Sequence, residues 1–134
     1  MGRPANDDAE LYRLHASVCK VLTDPKRLMI LDVLRAGDLS VGEIADRLGI
    51  ALPNASQHLA VLRGAGLVDG RRSGTTVVYR LAEPAIVDAC DVIHSIVERR
   101  VVERERRVGQ AGPRASMDIA ATAAGLPVGQ GTQR

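Results

Sequence analysis

Apolar residues at Leu11, Leu14, Val18, Val21 and Leu22 recur every three or four positions, the spacing of a helix with one buried face. Asp24-Pro25 then supplies a cap and a proline at the first helical position. The helix it opens carries Leu28, Met29, Ile30, Leu31 and Leu34 and stops at Gly37. Ser40 and Glu43 have the capping-box spacing at the head of a short helix through Ile44, Ala45 and Leu48, closed by Gly49. Pro53 marks the start of a fourth helix, which runs through Leu59 and Leu62 to Gly66. The period then changes. Leu67-Val68-Asp69-Gly70-Arg71-Arg72 and Thr75-Thr76-Val77-Val78-Tyr79-Arg80-Leu81 flank Ser73-Gly74, predicting a β-hairpin with Ser-Gly at its tip. Glu83-Pro84 opens a last helix with an apolar stripe of Ile86, Cys90, Ile93, Val97 and Val101.

The expected architecture is mainly α with a β-hairpin, in the order four helices, hairpin, helix. Residues 1–8 are polar and read as a flexible start, and residues 9–107 read as one folded domain. From Val108 onward 13 of 27 residues are Gly, Ala or Pro, so residues 108–134 read as a disordered tail. Within it, residues 116–124 have enough helix formers for a transient turn or two.

Composition narrows the function. No apolar run approaches the roughly 20 residues of a membrane helix, and the polar first ten residues do not resemble a signal peptide. Two cysteines 71 positions apart are no disulfide scaffold, which points to a reducing cytoplasm. Trp and Phe are absent and Tyr occurs twice, so the core is aliphatic. An aromatic platform for single-stranded nucleic acid is excluded by the same count. No nucleophile–base pair, phosphate loop or pair of carboxylates in an apolar setting stands at a catalytic spacing, so an enzyme is not expected.

Two short helices joined by Gly49-Ile50-Ala51-Leu52 and followed by a hairpin make a helix-turn-helix with a wing. The second helix would present Asn54, Ser56, Gln57 and His58 to base edges in a major groove. Asn and Gln pair bidentately with adenine, Ser with most edges, and His with a guanine acceptor or a phosphate. Arg63, a turn further on, suits a phosphate. Arg71, Arg72, Ser73 and Thr75 at the hairpin tip suit a phosphate strand or a minor groove. The formal charge of +2 supports this once divided. Residues 1–50 carry seven basic and eight acidic side chains, a balance of −1, whereas residues 51–80 set four arginines against Asp69, a balance of +3. The alternative is a winged helix that binds a protein, with a solvated Arg-Arg turn.

The residues also resemble a family. Leu22-Thr23-Asp24-Pro25-Lys26-Arg27-Leu28-Met29-Ile30-Leu31, Leu39-Ser40-Val41-Gly42-Glu43-Ile44-Ala45, Ser56-Gln57-His58-Leu59-Ala60-Val61-Leu62 and Gly66-Leu67-Val68 are similar to the ArsR/SmtB winged-helix repressors. Residues 71–81 resemble that family's wing, and the likeness spans about residues 12–107. It implies a cytoplasmic homodimer, joined through its first and last helices, that binds double-stranded operator DNA as a repressor. One departure is local: Ala51 stands where the family usually has a Ser or Thr cap. Such a loss typically costs about 1 kcal/mol. Fewer phosphate contacts at that helix start are therefore expected.

Relatives of this kind release DNA when a metal ion or an oxidant reaches a thiol- or His-containing site. The family's cysteine box is missing, since residues 40–48 contain no Cys, and its last-helix zinc ligands are replaced near Glu83, Ala85, Ile96 and Arg99. His15 and Cys19 share a face of the first helix, and Cys90 and His94 share a face of the last. Converging, they would give a Cys₂His₂ set for Zn(II), Ni(II) or Co(II), with Asp91 as a substitute ligand. Alternatively Cys19 and Cys90 act as redox thiols or pair as a disulfide. Plain packing of Cys90 in the dimer core explains it equally, and the repressor would then be effector-independent. The run 98–107, with five Arg and three Glu, reads as the solvated end of the last helix.

Overall fold

The computed structural model describes residues 5–111, which divide after Asp88 into two units, 5–88 and 89–111. The first unit opens with α1 (Ala5–Val21), so residues 5–8 form its first turn instead of a loose start. Asp7 and Asp8 lie in that turn, where the positive end of the helix dipole favours carboxylates. In α2 (Pro25–Val33) the Asp24 carboxylate accepts the Lys26 N–H at 2.8 Å and Pro25 leads the first turn. A 3-10 turn, Leu34–Ala36, ends at Gly37, whose φ of 151° is a conformation glycine favours.

Next come β1 (Leu39–Ser40), α3 (Val41–Leu48), α4 (Leu52–Gly64), β2 (Val68–Ser73) and β3 (Thr76–Leu81). The strand β1 was not expected. Two residues are too short to show a period, and Ser40 reads from sequence only as a helix cap. It pairs antiparallel with β3, Leu39 opposite Tyr79, and makes the hairpin a three-stranded sheet in the order β1-β3-β2. Ser73 pairs with Thr76, so the loop is Gly74-Thr75, one residue later than the predicted Ser-Gly tip. Positive φ falls on Gly74 alone, at 66°, which is the demand of a two-residue hairpin loop with glycine first.

The core is aliphatic, as composition required. Ile30, Leu31, Leu34, Ile44, Leu48, Leu59, Leu62, Leu67, Val68 and Val87 form one buried cluster, with Val18, Val21, Leu22, Tyr79 and Ile86 packed against it. Among the described residues no polar or charged residue is buried.

The last helix, α5 (Ala85–Ala111), begins in the first unit, where Ile86 and Val87 join the core. It runs four residues past the expected domain end at 107. In the second unit it exposes Val92, Ile93, Ile96, Val97, Val101 and Val102. The rest of the expected tail, including the turn at 116–124, lies outside the described residues. Among the described residues no helix is long and apolar enough to cross a membrane.

Candidate nucleic-acid interface

Residues 40–66 carry two helices whose ends are held by different contacts. At the head of α3, Ser40 Oγ accepts the Glu43 N–H at 3.1 Å and the Glu43 carboxylate accepts the Ser40 N–H at 2.8 Å. The backbone hydrogen bond from Ser40, then its hydroxyl, and lastly Arg47 hold the Glu43 carboxyl below its ordinary 4.5. At the tail, Gly49 adopts a left-handed φ of 68° and the Ile50 N–H reaches back to the Ala45 carbonyl at 3.1 Å.

Three residues later α4 starts without a side-chain cap, since Ala51 occupies the cap position as the sequence indicates. Its tail closes tightly: Gly66 N–H to Arg63 O at 2.9 Å and Leu67 N–H to Leu62 O at 3.0 Å form a Schellman motif. Ala55, Leu59 and Leu62 are fully buried and fix the rotation of α4 about its axis. A 100° step per residue then places Pro53, Gln57, Ala60 and Gly64 along the opposite crest. Asn54 lies on one flank, Ser56 and Arg63 on the other. Asn54, Ser56, Gln57 and Arg63 are all exposed. His58 is half-buried, because it turns toward α2: its Nδ1 lies 3.4 Å from Arg27 Nη1.

The wing does not bring all of its predicted residues together. Neighbours along a strand face opposite sides of a sheet, so Arg71 and Arg72 point apart. Arg71 lines an open cavity of about 320 Å³ with Asp38, Arg63, Asp69, Val78 and Arg80. Three guanidinium groups there face two carboxylates, and Arg80 sits 3.9 Å from Asp69. Arg72, Ser73 and Thr75 are exposed elsewhere on the hairpin. Sequence reasoning missed Arg80 as a site residue and Arg27 as a neighbour of His58. Arg80 was within reach, since the register pairing Arg71 with Val78 puts Arg80 on the face of Arg71. Only the packing of α2 on α4 reveals Arg27.

The candidate sensor residues fall in both units, His15 and Cys19 in the first and Cys90 and His94 in the second. His15 and Cys19 are exposed on α1. Cys90 is half-buried, and His94 is exposed with Nε2 3.7 Å from Glu98. Both cysteines are thiols. Among the described residues no three His, Cys, Asp or Glu side chains are grouped as a metal ion requires.

A capped positioning helix, a short turn, a second helix that exposes the amides of Asn54 and Gln57 and an arginine-bearing hairpin define a winged helix-turn-helix DNA-binding domain. A profile described as "Helix-turn-helix domain" matches residues 22–71. The uncharacterized HTH-type transcriptional regulator Rv0081 of Mycobacterium tuberculosis is 39% identical over 95 residues, 70% of this chain and 83% of that one. The biofilm growth-associated repressor of Agrobacterium fabrum is 42% identical over 81 residues, 60% of this chain and 69% of that one. The homodimeric winged helix-turn-helix DNA-binding domain of Mb0332 from Mycobacterium bovis superposes with a TM-score of 0.66 at 33% identity, covering 75% of this chain and 94% of that one. The chain belongs to the ArsR/SmtB family of winged helix-turn-helix transcriptional regulators.

Proposed function

We propose that the protein is a repressor that acts in the cytoplasm as a homodimer, setting two copies of α4 into successive major grooves of an inverted-repeat operator. The observation that carries this reading is the outer side of α4, where Asn54, Ser56 and Gln57 stand in solvent opposite a fully buried Ala55, Leu59 and Leu62. A helix so firmly seated, with the amides of Asn54 and Gln57 in solvent, suits base edges, and those amides suit adenine. The arginine-lined cavity suits a backbone phosphate, while Arg72, Ser73 and Thr75 suit the neighbouring strand or minor groove. Half-sites are then about one helical turn apart. A second copy would cover the apolar residues that α1 exposes at Leu11 and Leu14 and those that α5 exposes at Ile93 and Val97. No catalytic step is assigned to the chain. The effector reading is a thiol oxidant acting at Cys19 and Cys90 or a divalent metal held by His15, Cys19, Cys90 and His94, supported by the exposure of Cys19.

Fluorescence anisotropy on the duplex upstream of the protein's own gene tests the reading. A sequence preference with affinity falling steeply as salt rises is expected. Equal and weak binding to operator and scrambled duplex would favour a protein-interaction module. Running reduced, oxidised and zinc-loaded protein side by side tests the effector. Identical curves would leave an effector-independent repressor. Sedimentation of Ile93→Glu reads the dimer, which this charge should dissociate.

A further inference from the structure

Arg27 joins three elements of the first unit. Its Nε–H donates to the carbonyl of Val21, the last residue of α1, at 2.6 Å. Its Nη1 lies 3.9 Å from Asp24 Oδ2, whose carboxylate also caps α2. The same Nη1 lies 3.4 Å from Nδ1 of His58 on α4. The Arg27 side chain is only 17% exposed, so these contacts are its surroundings. A guanidinium donates and never accepts, so the imidazole must offer the lone pair of Nδ1. The proton of the neutral ring then sits on Nε2, the nitrogen directed away from Arg27.

We infer that Arg27 is a positioning residue for DNA recognition, holding His58 in the Nε2–H tautomer and tying the recognition helix to the corner between α1 and α2. This rests on the proposed docking of α4 in a major groove. Held so, His58 presents a donor to the acceptors of the groove, of which guanine offers two side by side, N7 and O6. The opposite tautomer would present a lone pair, repelled by those atoms and by phosphate oxygens. Arg27 therefore contributes specificity without touching DNA. It also links α1 to the reading helix through one side chain.

Two measurements on the full chain test this. Long-range ¹H–¹⁵N correlation of the imidazoles in DNA-free protein reads the tautomer directly, and with three histidines in the chain a His58→Gln spectrum assigns the signal. The expected pattern is a bare Nδ1 and a protonated Nε2 at His58, moving to a tautomer mixture in Arg27→Met. A proton on Nδ1 in the wild type, or an unchanged pattern in Arg27→Met, would overturn the inference. The second measurement is a double-mutant cycle on operator affinity. Arg27→Met is expected to weaken operator binding roughly tenfold, as expected for one lost directional contact, and to leave scrambled-duplex binding unchanged. In a His58→Ala background the same change should add almost nothing. Additive losses would overturn the coupling. A wild type with no preference for operator over scrambled DNA would sink the docking of α4 instead, and the tautomer measurement would still decide the role of Arg27.

Discussion

The two helices of the helix-turn-helix are finished in opposite ways at their starts. In α3 the polar side chains serve the helix itself, since Ser40 and Glu43 satisfy each other's amides. In α4 the cap position is Ala51, and Asn54, Ser56 and Gln57 face solvent. A missing cap costs about 1 kcal/mol, yet α4 holds because burial of Ala55, Leu59 and Leu62 and a closed C-terminal turn outweigh it. At its start one helix is locked by its own cap chemistry, whereas the other relies on the packing behind it. Packing leaves the polar side chains of α4 available for a partner.

The most severe test of that division compares the two faces of α4. Leu59→Ala removes a fully buried side chain and should cost about 2–5 kcal/mol in urea unfolding, with operator binding lost in proportion to the unfolded fraction. Gln57→Ala should leave stability within about 0.5 kcal/mol and relax base preference at one operator position by roughly 1–3 kcal/mol. A Gln57→Ala protein that unfolds like Leu59→Ala would show the crest of α4 to be structural, and the division would collapse.

A smaller pair of changes exchanges the two helix starts. Ser40→Ala should lose about 1 kcal/mol, because it leaves the Glu43 amide without its acceptor. Ala51→Ser should gain up to about 1 kcal/mol, since the backbone at Ala51 is already extended (φ −68°, ψ 146°) as a capping residue requires. No gain from Ala51→Ser would mean that the first turn of α4 is already satisfied by something else. Thermal unfolding resolves both.

Much of this contrast is legible in the letters. Helical spacing, Asp24-Pro25, the Ser40/Glu43 pair and Gly49 announce their elements, because each is a local demand of backbone geometry. Asn54, Ser56 and Gln57 were recognisable because the apolar period leaves them outside. What sequence could not give depends on pairings between distant residues. The strand at Leu39 exists only through Tyr79, and the closeness of Arg63, Arg71 and Arg80 only through sheet register and helix placement. His58 looked like its neighbours on α4. Its half-burial and its contact with Arg27, 31 positions away, come from how α2 packs on α4.

The smallest expected effect isolates the electrostatic part of the α3 cap. Glu43 accepts the Ser40 amide more strongly as a carboxylate than as an acid, and that bond lowers its pKa in the folded chain below the ordinary 4.5. A depressed folded value means stability that is fully present above the unfolded pKa and lost as pH falls through the folded one. Stability measured by urea unfolding should therefore decline from about pH 4.5 downward, and part of that slope should vanish in Glu43→Gln, which keeps an acceptor but no titration. No acidic residue stands in the first turn of α4, so Gln57→Glu, exposed on its crest beyond that turn, should not reproduce the slope. Identical acid slopes in the wild type and Glu43→Gln would show that the carboxylate charge adds nothing to the α3 cap. The difference between the two helix starts would then rest on the Ser40 hydroxyl alone.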